Sequence, residues 1–392
     1  MKVTGIIAEC NPLHEGHKYL LQEARKVTGA DYIVIAMSGD YVQRGAPAVV
    51  SKEQRASALL QSGADLVLEL PLYVSASGAD YFARGGIALL ESLGVVTDLA
   101  FGSESGDLTL LQDAARELNE DTKSFREALQ SGLRKGLTFP QARAEAMTST
   151  DLPASPNDLL GTEYLRALDR TGSRIRPHAI PRTDAVSASS LRAQMLENRR
   201  DSDPYLCRDD FSDHLLHALY GARDAEDLSV CLDVSTDLAG RILHELPSFS
   251  SFTAFCEAVK TRNYTYTRVS RALLHILLGM RRDTMETLDK AAGLCGWIRP
   301  IGFRRSAAPL LTQISACSAV PFLDKLSRAE YLLPAGLYEI LCEDLRAEFL
   351  YDLMAARRGG PDHGKPVVAF RKPLVILEIS KDQAQCLVFS VI

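Results

Sequence analysis

Gly5-Ile6-Ile7-Ala8-Glu9-Cys10-Asn11-Pro12-Leu13-His14-Glu15-Gly16-His17 is the stretch on which the fold turns. Val3 to Ala8 is a short apolar run rich in β-branched residues, as a buried strand requires. Asn11-Pro12 breaks it, because proline has no N–H for a ladder and restricts the residue before it. A helical pattern follows from about Glu15 to Lys26. His14 and His17 therefore lie three residues apart on one face of a helix start. Unpaired N–H groups and the positive end of the helix dipole make that position attractive to phosphate. Gly16 lets a ligand approach the backbone closely. Both imidazoles can donate an N–H to phosphate oxygens as charge moves in a transition state, which marks His14 and His17 as catalytic candidates. Zinc binding by the pair would need a third ligand, and the sequence singles none out.

Working outward, the same alternation repeats. Tyr32–Met37 reads as a second strand, with Ser38-Gly39-Asp40 as its turn. Ser51, with Gln54 in the capping-box position, opens a helix to about Ser62. Asp65–Leu70 is a third strand ended by Pro71, a helix follows near 79–93, and Asp98–Phe101 is a fourth strand. Residues 105–170 are mostly helical, and Arg174–Ile180 reads as one more strand. Apolar strands alternating with helices predict a parallel sheet, whose ligands bind at the carboxyl ends of the strands. Residues 11–17, 38–44 and 102–104 fall there. Asp40 and Gln43 are further candidates at that edge, to hold magnesium or orient an amine. Asp40 as a cap of the next helix is the plainer alternative.

The chain has 392 residues, long enough for two or three domains, and 46% of them are hydrophobic. A net charge of −6 argues against a protein that coats nucleic acid, and leaves room for a local basic patch. Eight cysteines are scattered without a CxxC or zinc spacing, as expected of thiols in a reducing cytosol. No signal peptide is expected at the N-terminus, and no apolar run reaches the roughly twenty residues of a membrane span. The expected location is the cytoplasm.

Glu197 to Tyr205 reads as a boundary, after which the chain is predominantly helical to about residue 355. A turn-rich link at 359–364 precedes two expected strands, 366–370 and 374–379. Between Lys260 and Arg282 lie six basic residues and no acidic one, with Tyr264 and Tyr266 interleaved. Cationic backbone contacts plus aromatic stacking are how unpaired RNA loops are bound, so Lys260, Arg262, Tyr264, Arg268 and Arg271 are RNA-binding candidates. Arg299, Arg304 and Arg305 could extend the patch. Ser187-Ala188-Ser189-Ser190-Leu191-Arg192 is a Ser-rich helix start, an ordinary cap unless a phosphate lies near it.

His14-Glu15-Gly16-His17 has the HxGH pattern of nucleotidyltransferases, and the wider set is more specific. Gly5–His17, Met37–Gly45, Asp65–Pro71, Phe101–Glu104, Ser155–Leu165 and Arg262–Arg268 together resemble the bacterial tRNA(Met) cytidine acetate ligase family, over roughly residues 1–355. The resemblance implies activation of acetate with ATP to acetyl-adenylate and pyrophosphate, then acetylation of N4 of the wobble cytidine in elongator tRNA(Met). It implies a Rossmann-like α/β parallel sheet of the HxGH nucleotidyltransferase type over 1–200, the ATP-binding catalytic domain. A mainly helical tRNA-binding domain with a short C-terminal β element would fill 201–392. ATP contacts would come from Ile7, Ala8, Glu9, Asn11, Pro12, His14, Gly16, His17, Lys18 and Leu20, and from Gly102, Asn157 and Arg182. Ser187 and Ser189 would close over the phosphates, and Asp40 would join the two histidines as a catalytic residue. Mg2+ is expected with the ATP, and no membrane or protein partner. The chain departs from the family at Leu13, where an aromatic is usual, at Asp158, where a second Asn is usual, and in a shorter 183–186 segment.

A small-molecule adenylyltransferase of the pantetheine-phosphate or nicotinate type would also account for HxGH. It would leave some 190 residues without a task and would release a product bearing AMP, whereas the ligase releases free AMP. An RNA-binding protein that senses ATP without chemistry is a third reading.

Overall fold

The computed structural model describes residues 1–120, 122–137, 142, 145–146, 155–183, 187–200, 203–359 and 372–377. Seven strands form one sheet: β1 (Val3–Ala8), β2 (Tyr32–Ser38), β5 (Leu66–Leu70), β6 (Asp98–Ser103), β7 (Arg176–Pro181), β8 (Arg299–Arg304) and β9 (Val375–Leu377). A two-stranded hairpin, β3 (Tyr41–Val42) and β4 (Ala46–Pro47), projects beyond β2. The sheet order is β7-β6-β1-β2-β5-β8-β9. The first five are parallel, with Ile6 opposite Ile35 and Val34 opposite Leu66.

Side-chain alternation along the strands decides what covers each face. Ile6, Ile33, Ile35 and Val67 pack with Leu21, Ala24, Leu59 and Leu60, from the helices Glu15–Thr28 and Lys52–Gln61. Ile7, Val34, Ala36, Leu66 and Leu68 face the other way. There they meet Phe82, Ile87 and Leu90 of helix Ala79–Ser92, in a core that continues into the second half of the chain. That half is built of helices, including Ser212–Tyr220, Thr236–Glu245, Phe252–Val259, Tyr266–Leu278, Arg282–Ala292 and Ala335–Gly359.

The second half also returns to the sheet. β8 pairs antiparallel with β5, and β9 pairs parallel with β8. The stretch from about 205 to 355 is predominantly helical as expected, with one strand, at 299–304, that the sequence did not suggest. Two arginines, a proline and a glycine in Arg299–Arg304 mask the apolar alternation of a strand, and the partners that neutralise those arginines are remote in sequence. Of the two expected C-terminal strands, 375–377 falls in the second, while 366–370 lies outside the described residues.

The partners of β8 form a buried ionic network. Arg299 lies 2.9 Å from Glu69 and 2.8 Å from Glu348. Lys52 lies 2.7 Å from Glu69, 2.8 Å from Glu348 and 3.5 Å from Asp40. Lys372 reaches Glu348, Asp352 and Glu53. Burial alone would push the Lys52 ammonium down, and Glu348, Glu69 and Asp40 together hold it above its ordinary value. Removing one partner of such a network leaves charge buried without compensation, at a cost of about 3–5 kcal/mol. Lys52→Met is expected to lower stability by about that amount in urea unfolding. Lys52→Arg, which keeps the charge, is expected to lose less.

Candidate active site

Helix Glu15–Thr28 is capped by its own histidines. His14 is the N-cap, and its Nδ1 accepts the Gly16 N–H at 3.1 Å. The His14 N–H donates to His17 Nδ1 at 3.2 Å, closing a reciprocal box. An imidazole nitrogen that accepts a hydrogen bond carries no proton, so each neutral ring holds its proton on Nε2. The box thus fixes the tautomer and leaves two Nε2–H donors. The ring centroids are 3.9 Å apart. Burial and the positive charges of Arg182 and Arg192 hold His14 below its ordinary pKa. Burial, His14 and Arg182 push His17 down to about 3. Both rings are neutral donors at pH 7.

They open on a cavity of about 430 Å3 at the carboxyl edge of the sheet. Ile7, Ala8 and Glu9 reach it from the end of β1, Phe101 and Gly102 from β6, Ile180 and Pro181 from β7, and Arg182 from just beyond. Helix Pro156–Thr171 supplies Asn157, Leu160 and Tyr164, and the β3–β4 hairpin supplies Gln43 and Arg44. Glu104 ties two of these together: its Oε1 accepts from Asn157 Nδ2 at 2.6 Å and from Arg182 Nη1 at 3.0 Å. Asp158 holds the loop after β6, taking the N–H groups of Glu104 and Ser105, both at 3.0 Å, and the Ser103 and Ser155 hydroxyls. Burial would raise its pKa, but those hydrogen bonds keep it below the usual carboxylate value. The Asn-to-Asp departure read from the sequence is therefore a four-donor anchor.

The chain matches, over residues 1–197 and 184–362, a family model described as HIGH Nucleotidyl Transferase. The tRNA(Met) cytidine acetate ligase of Acetivibrio thermocellus is 33% identical, over 94% of this chain and 100% of that protein. That of Halothermothrix orenii is 32% identical, over 94% and 99%. The crystal structure of Thermotoga maritima TmcAL bound with alpha-thio ATP superposes with a TM-score of 0.88 at 28% identity, covering 97% of this chain and all of that one. The chain belongs to the tRNA(Met) cytidine acetate ligase family.

Ten of the residues nominated for ATP line the cavity: Ile7, Ala8, Glu9, His14, Gly16, His17, Leu20, Gly102, Asn157 and Arg182. Five do not. Asn11 is buried, with its Oδ1 taking the Val49 N–H, and Pro12 follows it in the loop. Lys18 pairs with Glu15 at 2.7 Å. Ser187 caps helix Ala188–Glu197, and Ser189 accepts from Arg192, whose other nitrogen donates to the Asn11 carbonyl. Residues 184–186 lie outside the described residues.

Asp40 lies away from the cavity that the histidines open on. Asp40 is 4% exposed, its Oδ1 accepts the Lys52 N–H at 3.0 Å, and it does not line the cavity. The plainer alternative, a cap of the next helix, is what its geometry matches. Among the described residues no three His, Cys, Asp or Glu side chains converge to hold a metal ion.

The basic candidates cluster on the helical half. Lys260, Arg262 and Arg268 are exposed, and the Arg268 guanidinium stands 5.1 Å over the Tyr264 ring. Arg271 is more withdrawn, donating to Asp233 at 3.0 Å. The extension through Arg299 and Arg304 is corrected, since both are buried in β8 and Arg304 donates to the Leu60 carbonyl. Gly45 joins patch to cavity. Its φ is +67°, and a Cβ there would sit 2.3 Å from the Arg271 nitrogen. Ser270 and Arg208 both donate to its carbonyl, at 2.6 and 3.1 Å. The hairpin bearing Gln43 and Arg44 is thus pinned to the helix that carries Arg268.

Phe101, Tyr164 and Arg44 were not singled out from the sequence. The usable signal was Asn157, Leu160 and Tyr164 at i, i+3 and i+7, one face of one helix.

Depressed histidines carry a sign. The unfolded chain protonates His17 near its ordinary value, and the folded chain only near pH 3. Its contribution to stability is full above about pH 6.5 and is lost as pH falls toward 3. Burial raises Asp344 to about 8 and Asp352 to about 7, which acts in the opposite direction. The comparison of two proteins isolates the histidine. Between pH 7 and 5, His17→Asn is expected to lose less thermal stability than wild type in scanning calorimetry.

Proposed function

We propose that this chain is an ATP-dependent acetate ligase that forms N4-acetylcytidine at the wobble position of elongator tRNA(Met). Acetate attacks the α-phosphate in line, pyrophosphate leaves, and the acetyl group of the resulting acetyl-adenylate passes to the cytidine amine. The observation that carries the reading is the histidine cap, two neutral imidazoles with Nδ1 occupied and Nε2–H free at a helix N-terminus. Family membership adds the substrates.

In this reading His14 and His17 hold the phosphates as charge shifts onto the leaving pyrophosphate, a contribution of positioning and electrostatics without a covalent intermediate. Gly102, Asn157 and Arg182 hold the remainder of the nucleotide. Asn11 and Pro12 shape the loop, while Lys18, Ser187 and Ser189 flank it. Residues 1–200 form the catalytic part. Residues 201–392 form the mainly helical tRNA-binding part, which also lends β8 and β9 to the sheet. Lys260, Arg262, Tyr264, Arg268 and Arg271 form the RNA contact. ATP and tRNA are the partners, acetate is the acid, and the site is in the cytoplasm. Among the described residues no helix is long and apolar enough to cross a membrane.

Labelled acetate is expected in elongator tRNA(Met) only when ATP is present, with free AMP and pyrophosphate as co-products. An AMP-bearing small molecule and no label in tRNA would sink the reading. His14→Ala and His17→Ala are each expected to cut acetate-dependent ATP–pyrophosphate exchange by about 100-fold or more.

Replacing Arg262 and Arg268 together by alanine is expected to weaken tRNA binding. Each lost phosphate contact should flatten the slope of log K against log salt by about 0.7. An unchanged slope in filter binding would remove these arginines from the interface.

A further inference from the structure

The cavity holds polar atoms that the phosphate-binding machinery leaves unused. Tyr164 is 2% exposed, and among the described residues its hydroxyl has no hydrogen-bond partner although it lines the cavity. Gln43 Nε2 is buried and, among the described residues, equally without a partner. Glu9 stands beside them: its Oε1 accepts the Gln43 backbone N–H at 2.9 Å, and no hydrogen bond is made by its Oε2 among the described residues. Leaving a buried polar group unsatisfied is costly, so such a set marks a place that a ligand completes.

The set consists of one acceptor and two donors. Burial and the negative charge of Glu9 push the Tyr164 phenol up, so it stays a donor at every relevant pH. Acetate or pyrophosphate would offer acceptors only and would bring a second negative charge against Glu9. The Watson–Crick edge of cytosine offers one amino donor, N4–H, followed by two acceptors, N3 and O2. Uracil offers an acceptor where cytosine has the amine and a donor where it has N3. Carboxylates are the side chains that take the cytosine amine. Phe82 and Phe101, also in the lining, are buried and close the apolar wall of the cavity beside this set.

We propose that Glu9, Gln43 and Tyr164 form the cytosine-reading subsite, with Glu9 accepting from N4 and the other two donating to N3 and O2. Glu9 is then also the proton acceptor of the transfer step. The N4 lone pair forms the C–N bond to the acetyl carbon. The bond from that carbon to the AMP oxygen breaks, its electron pair leaving on AMP, and the N4 proton passes to the Glu9 carboxylate and from there to solvent. Burial, set against Arg44, Arg192 and Arg55, places the Glu9 pKa above its ordinary value, which strengthens it as a base.

This inference rests on the ligase reading, and two half-reactions separate them. Acetate-dependent ATP–pyrophosphate exchange reports adenylate formation, and acetyl transfer to tRNA in a single turnover reports the subsite. Glu9→Gln keeps the acceptor for the Gln43 N–H and removes the base. Its transfer rate is expected to fall about 100-fold more than its exchange rate, and the acidic limb of the wild-type pH–transfer profile is expected to vanish. Gln43→Met, similar in shape and without the donor, is expected to raise KM for tRNA at least ten-fold while its exchange rate changes less. A tRNA with uridine at the acceptor position should compete at least ten-fold less well than the unmodified cytidine tRNA against wild type, and equally well against Glu9→Gln. Exchange and transfer falling in parallel in Glu9→Gln would assign the residue to the nucleotide and overturn the proposal, as would an unimpaired transfer. Wild type without exchange would overturn the ligase reading itself.

Discussion

The ammonium of Lys52 is 2% exposed and sits among Glu69, Glu348 and Asp40. Two of those carboxylates come from the first seventy residues and the third from a helix nearly three hundred residues later. Arg299 repeats the bridge from the strand side, touching both Glu69 and Glu348. A buried pair is a poor source of net stability against an apolar alternative, yet it is severe about which partners can be present. The network therefore acts as a registry device. β8 can dock on β5 only where Arg299 meets Glu69, and helix Ala335–Gly359 can dock only where Glu348 meets both cations. Leu72 and Tyr73, just past β5, hydrogen-bond to Asp344 and Glu343 of the same helix, which fixes its rotation.

That registry has a functional consequence. The β3–β4 hairpin leaves β2 beside Asp40, a member of the network, and ends at Pro47. Tyr41 donates to the Ala347 carbonyl and Tyr351 to the Ala48 carbonyl, so the long helix grips both sides of the hairpin. Gly45 at its tip lies against helix Tyr266–Leu278. The hairpin is thus held by two elements of the helical half, helix Tyr266–Leu278 and helix Ala335–Gly359. Gln43 and Arg44 face the nucleotide cavity from it. In the proposed reading, this one hairpin stands between an RNA engaged at Arg262 and Arg268 and a nucleotide held at His14 and His17.

The parallel sheet and the histidine site were legible because their signals are local. Strand, breaker, cap and paired imidazoles fall within fifteen consecutive residues, and each has its own conformational preference. β8 was not legible, because its arginines look like surface charges until Glu69 and Glu348 are known to meet them. Asp40 was open to two readings, and its contact with Lys52, twelve residues on, matches the cap rather than the ligand edge. Its neighbours in sequence placed it at the ligand edge, while its partner Lys52 drew it inward. Asp158 shows the converse: a departure from the family pattern that weakened the local reading proves to be held by four donors, all within the same loop system. What the sequence conceals is consistently the long-range neutralisation of charge.

Burial first, and then the positive charges around them, keeps the two histidines neutral. Arg44 and Arg182 line the same cavity, and Arg192 stands close enough to lower His14. A triphosphate entering such a site already meets positive charge. Two further imidazolium ions would bind reactant and product pyrophosphate more tightly without favouring the transition state between them. Neutral Nε2–H donors of fixed tautomer favour the geometry in which oxygen charge develops, and only interactions stronger in the transition state than in the ground state raise the rate. The cap that holds each Nδ1 as an acceptor therefore does two things at once. It satisfies backbone N–H groups that the helix leaves unpaired, and, in the proposed reading, it prepares the opposite edge of each ring for the phosphate.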